Sequence, residues 1–78
     1  MENHFVIRSY GFGELAQMYL PNIAKNSASI SFRKWITLNP KLQNAIPKGT
    51  RMIKPKEVRL IIQEFDLPEM YMRQFELD

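Results

Sequence analysis

Residues 26–36, NSASISFRKWI, place the adjacent cations Arg33 and Lys34 next to a polar opening and an aromatic face. Guanidinium and ammonium groups beside short polar side chains suit recognition of phosphates and base edges. Between residues 25 and 59 there are nine Lys or Arg residues and one carboxylate, Glu57, a segment charge of +8. Such a segment is typical of a polyanion-binding protein, although partner-binding domains and solvated surfaces can also be basic.

The sequence contains no arrangement of residues that would support catalysis. We find no paired carboxylates, no base beside a nucleophile, and no complete phosphate-binding glycine loop, since GFG at residues 11–13 lacks a further glycine. With no cysteine and a single histidine, His4, a structural zinc site is not expected. We predict a protein that is not an enzyme and that needs no metal, cofactor or small-molecule substrate.

Length and composition set the scale of the fold. A chain of 78 residues has room for one modest core, and a hydrophobic fraction of 45% is enough to pack it. We predict a single domain over residues 1–78, with its core at about 5–68 and an amphipathic tail at 69–78 that frays, docks or mediates a homodimer. No apolar run has the length of a signal peptide or a membrane span, which predicts a cytoplasmic protein without a membrane partner.

The elements that would position the basic residues are separated by prolines and glycines. The first half of the chain is predicted to form a strand at 4–10, a helix at 14–20 and a helix capped by Asn26 or Ser27. The second half is predicted to form a short helix from Pro40, a turn at Lys48 and Gly49, an extended run at 50–53 and a helix from Pro55. The extended run is expected to pair with the first strand. We therefore predict a mainly α fold with a short β-hairpin.

Apolar spacing predicts which faces of the two longest helices are buried. The inward residues of the helix after residue 25 are Ala28, Phe32, Trp35 and Ile36, and those of the last helix are Val58, Ile61, Ile62 and Phe65. The outward residues are Ser29, Arg33, Lys34 and Thr37 on the first, and Lys56, Arg59, Gln63 and Glu64 on the second. Aromatic residues at this spacing are predicted to be core, not platforms for stacking bases.

The order helix, turn, helix, extended basic segment and supporting helix predicts a winged helix-turn-helix layout. The second helix would enter the major groove of double-stranded DNA, with the extended segment as a wing on the flanking phosphates. Asn26 and Ser29 would lie near bases, and Arg33 and Lys34 would contact bases or backbone. The residues predicted to contact nucleic acid are Lys25, Asn26, Ser29, Arg33, Lys34, Lys48, Arg51 and Lys54. For each of them the alternative is a solvated surface charge or a helix cap.

One spacing differs from that motif. The connection over residues 20–25 is longer than the three to four residues of a tight helix-turn-helix turn. A longer turn still permits the fold, but it leaves the register of the second helix undetermined.

Three blocks in order, RSYGFGELAQMYLPN, FRKWITLNPKL and KPKEVRLIIQEF, resemble a family of small domains of unknown function from Bacteroides-type gut bacteria, over about residues 5–68. The resemblance implies no established activity. By fold-level analogy these domains look like excisionase-type winged helices. Lys54 stands where the family tends to have Thr before the proline, so the capping hydroxyl is missing and a cation lies at the N-terminus of the last helix. The tail after Pro68 extends past the usual end of the family.

These observations leave two functions open. The first is a small DNA-binding protein, either a transcriptional regulator or an excisionase-like recombination accessory factor, which as a lone module of this size would gain affinity from a homodimer or tandem site. The second is a protein-interaction module whose basic face docks an acidic partner. Replacement of Arg33 and Lys34 separates the two hypotheses, because the first predicts a loss of duplex binding.

Overall fold

The structure is a computed structural model that describes residues 5–68 and residue 71. Within this part of the chain the elements are β1 (Tyr10–Gly11), α1 (Phe12–Tyr19), α2 (Lys25–Leu38), α3 (Pro40–Ala45), β2 (Met52–Ile53) and α4 (Pro55–Phe65). The order confirms the predicted mainly α fold with a short antiparallel β pairing, consistent with a winged helix-turn-helix layout. None of the described helices is long and apolar enough to cross a membrane. The predicted tail lies outside the described residues except for Tyr71, as does His4.

The two strands pair in antiparallel register, with Tyr10 opposite Ile53 and Gly11 opposite Met52. This confirms the predicted pairing partner, but the first strand is shorter than the predicted range of 4–10. Before it, the chain packs through side chains instead of a ladder: the Phe5 ring stacks on Tyr10 at 5.5 Å between centroids. The Tyr10 hydroxyl also donates to a backbone carbonyl four residues earlier, at 2.7 Å. β1 is short because a strand needs a paired partner along its length, and β2 has only two residues.

α1 begins two residues before the predicted start because Glu14 caps it. The Glu14 carboxylate accepts a hydrogen bond from the backbone N–H of Gly11 at 3.3 Å, which satisfies a free donor at this helix end. Leu15 and Ala16 are fully buried. A Cβ on Gly13 would lie 2.9 Å from Lys25 Cε, so the absence of a side chain lets the side chains of α2 approach α1 closely there.

α2 begins at Lys25, and the prediction that Asn26 or Ser27 caps it is wrong. The N-cap is Ala24, which makes no side-chain hydrogen bond, and its carbonyl accepts from the N–H of Ala28 at 2.8 Å. Asn26 and Ser27 instead lie exposed in the first turn. Ala28, which follows them, is fully buried.

The core is centred on Phe32, which is fully buried. Four aromatic rings lie with their centroids between 5.2 and 6.0 Å from its own: Phe12, Tyr19, Trp35 and Phe65. The prediction that Trp35 is a core residue is only partly right, because it is 38% exposed, although its ring meets those of Phe32 and Phe65 in T-shaped geometry. Trp35 therefore forms the rim of the core.

Asn39 joins α2 to α3 and ties both to α4. Its side-chain oxygen accepts from the backbone N–H groups of Lys41 and Leu42 at 2.9 and 3.2 Å, which caps α3. Its amide nitrogen donates to Glu64 at 3.0 Å. Glu64 was predicted to face solvent, but this contact and the neighbouring Lys41 ammonium, at 3.8 Å, hold its carboxylate largely out of water.

The predicted turn and last helix are present as expected. Gly49 has φ +83°, a left-handed conformation that glycine adopts without strain, so the chain reverses there before β2. α4 starts at Pro55 and buries Val58 and Ile61, with Ile62 and Phe65 partly buried beside them. The Glu57 carboxylate accepts from the backbone N–H of Lys54 at 2.9 Å and so closes the N-terminus of α4.

Candidate nucleic-acid interface

The outward face of α2 and one turn residue form a single shallow and open concave surface with a volume of about 820 Å³. We call it the α2 surface, and its residues are Asn26, Ser29, Ile30, Arg33, Lys34, Thr37, Leu38 and Lys48. The α2 residues recur at intervals of three and four, the spacing of one helical face, opposite the buried residues Ala28, Phe32 and Ile36. Helix geometry alone therefore brings seven of these side chains to one side.

Lys48 reaches this surface because of the turn between α3 and β2. Burial of Ile46 anchors the chain after α3. Both the backbone N–H and the hydroxyl of Thr50 donate to the carbonyl of Pro47, at 3.2 and 2.7 Å, which closes the turn around Lys48 and Gly49. An ammonium group from a different segment is thereby placed beside the cations of α2.

Arg33 is the cation of the α2 surface that packs against the core. Its guanidinium carbon lies 4.2 Å from the centroid of the Phe12 ring, a cation–π arrangement, and the residue is half-buried. A cation–π contact of this kind uses none of the guanidinium N–H groups as hydrogen-bond donors to a protein oxygen, so they are available for a ligand. The neighbouring Lys34 is exposed. The two adjacent cations thus differ in kind: one is held in place, and the other extends into solvent.

The residues that line the α2 surface include three cations and no carboxylate. The ion pairs seen among the described residues lie elsewhere: Arg8 with Glu14 at 2.9 Å, and Lys41 with Glu64 at 3.8 Å. Like charges that share a concave surface reinforce one another's potential, because no opposite charge on that surface cancels it. The α2 surface therefore favours an anionic ligand.

Three of the predicted nucleic-acid contacts do not line this surface. The Lys25 stem lies against Gly13, and its charge acts on Glu14, whose pKa is lowered mainly by hydrogen bonds from Arg8 and the Gly11 N–H, with Lys25 adding to the effect. Arg51 is exposed just before β2, and its carbonyl accepts from the N–H of Phe12 at 2.7 Å. Lys54 is the exposed N-cap of α4. The other five predicted residues lie together on the α2 surface.

Two apolar residues of the α2 surface were not predicted. Ile30 and Leu38 are 61% and 80% exposed, and they lie eight positions apart on the outward face of α2. The signal was available in the sequence, because both residues fall outside the buried stripe of Ala28, Phe32 and Ile36. Apolar side chains that stay exposed to solvent on one surface are candidate contacts for a ligand.

The comparison with protein families matches residues 6–68 of the chain to a family described as a domain of unknown function, DUF4248. No curated protein and no solved structure matches the chain. The matched range holds all the described elements, from β1 to α4, and all the residues of the α2 surface. The chain therefore belongs to the DUF4248 family of domains of unknown function.

Proposed function

We propose that this protein is a small cytoplasmic DNA-binding domain of winged helix-turn-helix type, which acts as a transcriptional regulator or a recombination accessory factor. The observation that carries the proposal is the α2 surface, where α2 and Lys48 together present three cations and short polar side chains without a carboxylate. α2 is 14 residues long, enough for about four turns on one face of a duplex.

The arrangement suits a division of contacts along α2. Asn26 and Ser29 lie toward its N-terminus, where the positive end of the helix dipole favours approach to DNA and where recognition helices meet base edges. Arg33, Lys34 and Lys48 supply positive charge for the sugar-phosphate backbone. Ile30 lies among them and offers an apolar contact of the kind that reads thymine methyl groups.

The test is fluorescence anisotropy of a labelled mixed-sequence duplex, titrated with the full chain at several salt concentrations. If the three cations of the α2 surface together neutralise two or three phosphates, the slope of log affinity against log salt is about −2 to −3, since each phosphate contributes about −0.9. The double variant Arg33→Gln with Lys34→Gln removes two of those contacts. We expect its slope to fall to about −1.

A matched control removes the same charge elsewhere. Lys56 and Arg59 are exposed on α4 and do not line the α2 surface. The variant Lys56→Gln with Arg59→Gln therefore lowers the net charge equally, and its slope is expected to stay near the original value. If the slope fell equally in the two double variants, binding would depend on the net charge of the protein and not on the α2 surface. No duplex binding at low salt would refute the proposal.

Ile30 and Leu38 favour a second function, a module that docks an acidic partner protein with an apolar anchor. Their exposure of 61% and 80% on a basic surface is the combination that such a partner would cover. Leu38→Ser discriminates between the two functions, because Leu38 lies at the C-terminal end of α2, far from the residues placed near bases. DNA binding predicts an affinity for duplex within about twofold of the original, whereas partner docking predicts a large loss of partner affinity.

A further inference from the structure

A small second cavity adjoins the α2 surface between α1, α2 and the turn after α3. It has a volume of about 70 Å³ and is lined by Phe12, Arg33, Ile36, Thr37, Gln43, Ile46, Pro47 and Lys48. A water needs about 10–15 Å³ of such space, and clefts for drug-sized ligands hold roughly 300–1,000 Å³. The cavity therefore fits a group of a few heavy atoms.

The chemistry of the lining is divided between floor and rim. Phe12, Ile36 and Ile46 are buried and make an apolar floor. Arg33, Lys48, Thr37 and Gln43 are the polar lining residues, and together they offer two cations, a hydroxyl and an amide. All four can donate hydrogen bonds, and no lining residue carries a negative charge. A floor that excludes water strengthens charge-assisted hydrogen bonds at the rim.

We propose that this cavity binds a single phosphate group, that of a DNA backbone phosphodiester, through Arg33, Lys48, Thr37 and Gln43. The assignment rests on the proposed function and deepens it, because it makes Arg33 a backbone contact and leaves base reading to the residues nearer the start of α2. Arg33 is already held over Phe12 at 4.2 Å, so little conformational freedom is lost when its N–H groups bind phosphate. The two charged oxygens of a backbone phosphodiester can each accept more than one hydrogen bond, so one phosphate can be shared by donors that come from different elements.

The first experiment titrates the full chain, labelled with nitrogen-15, with sodium phosphate and follows the side-chain N–H signals of Arg33 and Gln43 by NMR. Sodium chloride at matched ionic strength is the reference. We expect saturable shifts of both signals with phosphate and none that saturate with chloride. Equal, non-saturating shifts with the two salts would overturn the proposal, because they would report ionic strength alone.

Two variants on α3 keep the test independent of folding. Gln43 and Asn44 are adjacent and exposed, but only Gln43 lines the cavity. Gln43→Glu places a carboxylate at the rim and is expected to weaken phosphate binding by tenfold or more, the effect of losing about one hydrogen bond to a charged group. Asn44→Asp adds the same charge outside the cavity and is expected to keep the original affinity. Equal weakening by both variants would overturn the site.

Duplex DNA then identifies the source of the phosphate. Displacement of inorganic phosphate by duplex, with shifts of the same Arg33 and Gln43 signals, supports a backbone phosphate. If duplex binds in the anisotropy assay but leaves these signals unmoved, the assignment is overturned while the proposed function stands. If inorganic phosphate binds and duplex does not, the cavity is still a phosphate site, but its assignment to a DNA backbone is overturned together with the proposed function. Displacement by polyglutamate at a lower charge concentration than by duplex would overturn the assignment in favour of an acidic protein.

Discussion

Lys54 is placed where its replacement by threonine should raise the stability of the domain. As the N-cap of α4 it has φ −75° and ψ 158°, the extended geometry of a capping residue, but it makes no side-chain cap hydrogen bond. Glu57 already accepts from its backbone N–H at 2.9 Å. A threonine hydroxyl at this position would accept from the N–H of Glu57 and complete a reciprocal capping box.

The magnitude follows from two contributions to the free energy of unfolding. A capping hydroxyl contributes about 1 kcal/mol. Removal of an exposed cation from a helix N-terminus adds about 0.3 kcal/mol, the lower end of the dipole effect. Lys54→Thr should therefore stabilise the domain by about 1.3 kcal/mol, which for a chain of this length raises Tm by roughly 5–10 °C. Thermal unfolding followed by circular dichroism measures the shift.

Two controls separate the contributions. Lys54→Gln removes the charge without adding a hydroxyl, and Lys56→Gln does the same two residues further into the helix. Each should raise the free energy of unfolding by only about 0.3 kcal/mol. A Tm for Lys54→Thr equal to that of Lys54→Gln would refute the capping argument. If Lys54 contacts a flanking phosphate, Lys54→Thr also makes the salt slope of duplex binding shallower by about 0.9, and an unchanged slope would remove Lys54 from the interface.

Two further predictions concern hydrogen bonds that hold the helices together. Asn39→Ala removes the cap of α3 and the donor to Glu64. It should lower the free energy of unfolding, measured in urea, by about 1–3 kcal/mol. A loss below about 0.5 kcal/mol would contradict the conclusion that Asn39 links the helices. The Tyr19 hydroxyl donates to the carbonyl of Asp66 at 2.6 Å, and burial, with a smaller effect of the Asp66 charge, raises the pKa of Tyr19. Stability should therefore fall as pH rises above about 10, where the unfolded tyrosine ionises, and Tyr19→Phe should flatten that decline in urea unfolding at pH 8 and pH 11.

Elements fixed by local sequence were predictable, and those fixed by distant partners were not. α4 follows from Pro55 at its first turn and apolar residues at helical intervals, both read within one segment. The length of β1 depends on β2, which lies about forty positions later and supplies only two residues. α2 likewise starts at Lys25 after the N-cap Ala24, so the good capping residues Asn26 and Ser27 were misleading.

The candidate site divides in the same way. Helical spacing alone predicts that Asn26, Ser29, Arg33 and Lys34 share a face of α2. Lys48 joins them only because α3 folds back and the following turn is closed, which is a tertiary effect. Gln43 was not predicted for the same reason: its role depends on a cavity built from three segments.

Phe12 couples the stability of the domain to the geometry of its charged surface. Its N–H donates to the carbonyl of Arg51 beside the sheet at 2.7 Å, and its ring packs against Phe32 with centroids 5.6 Å apart. The outer side of the same ring supports the guanidinium of Arg33. A displacement of the core at Phe32 must therefore move the platform of Arg33, because buried rings in a close-packed interior shift together. Arg33 is held in place by the core, whereas Lys34, one position later, is positioned by its helix alone.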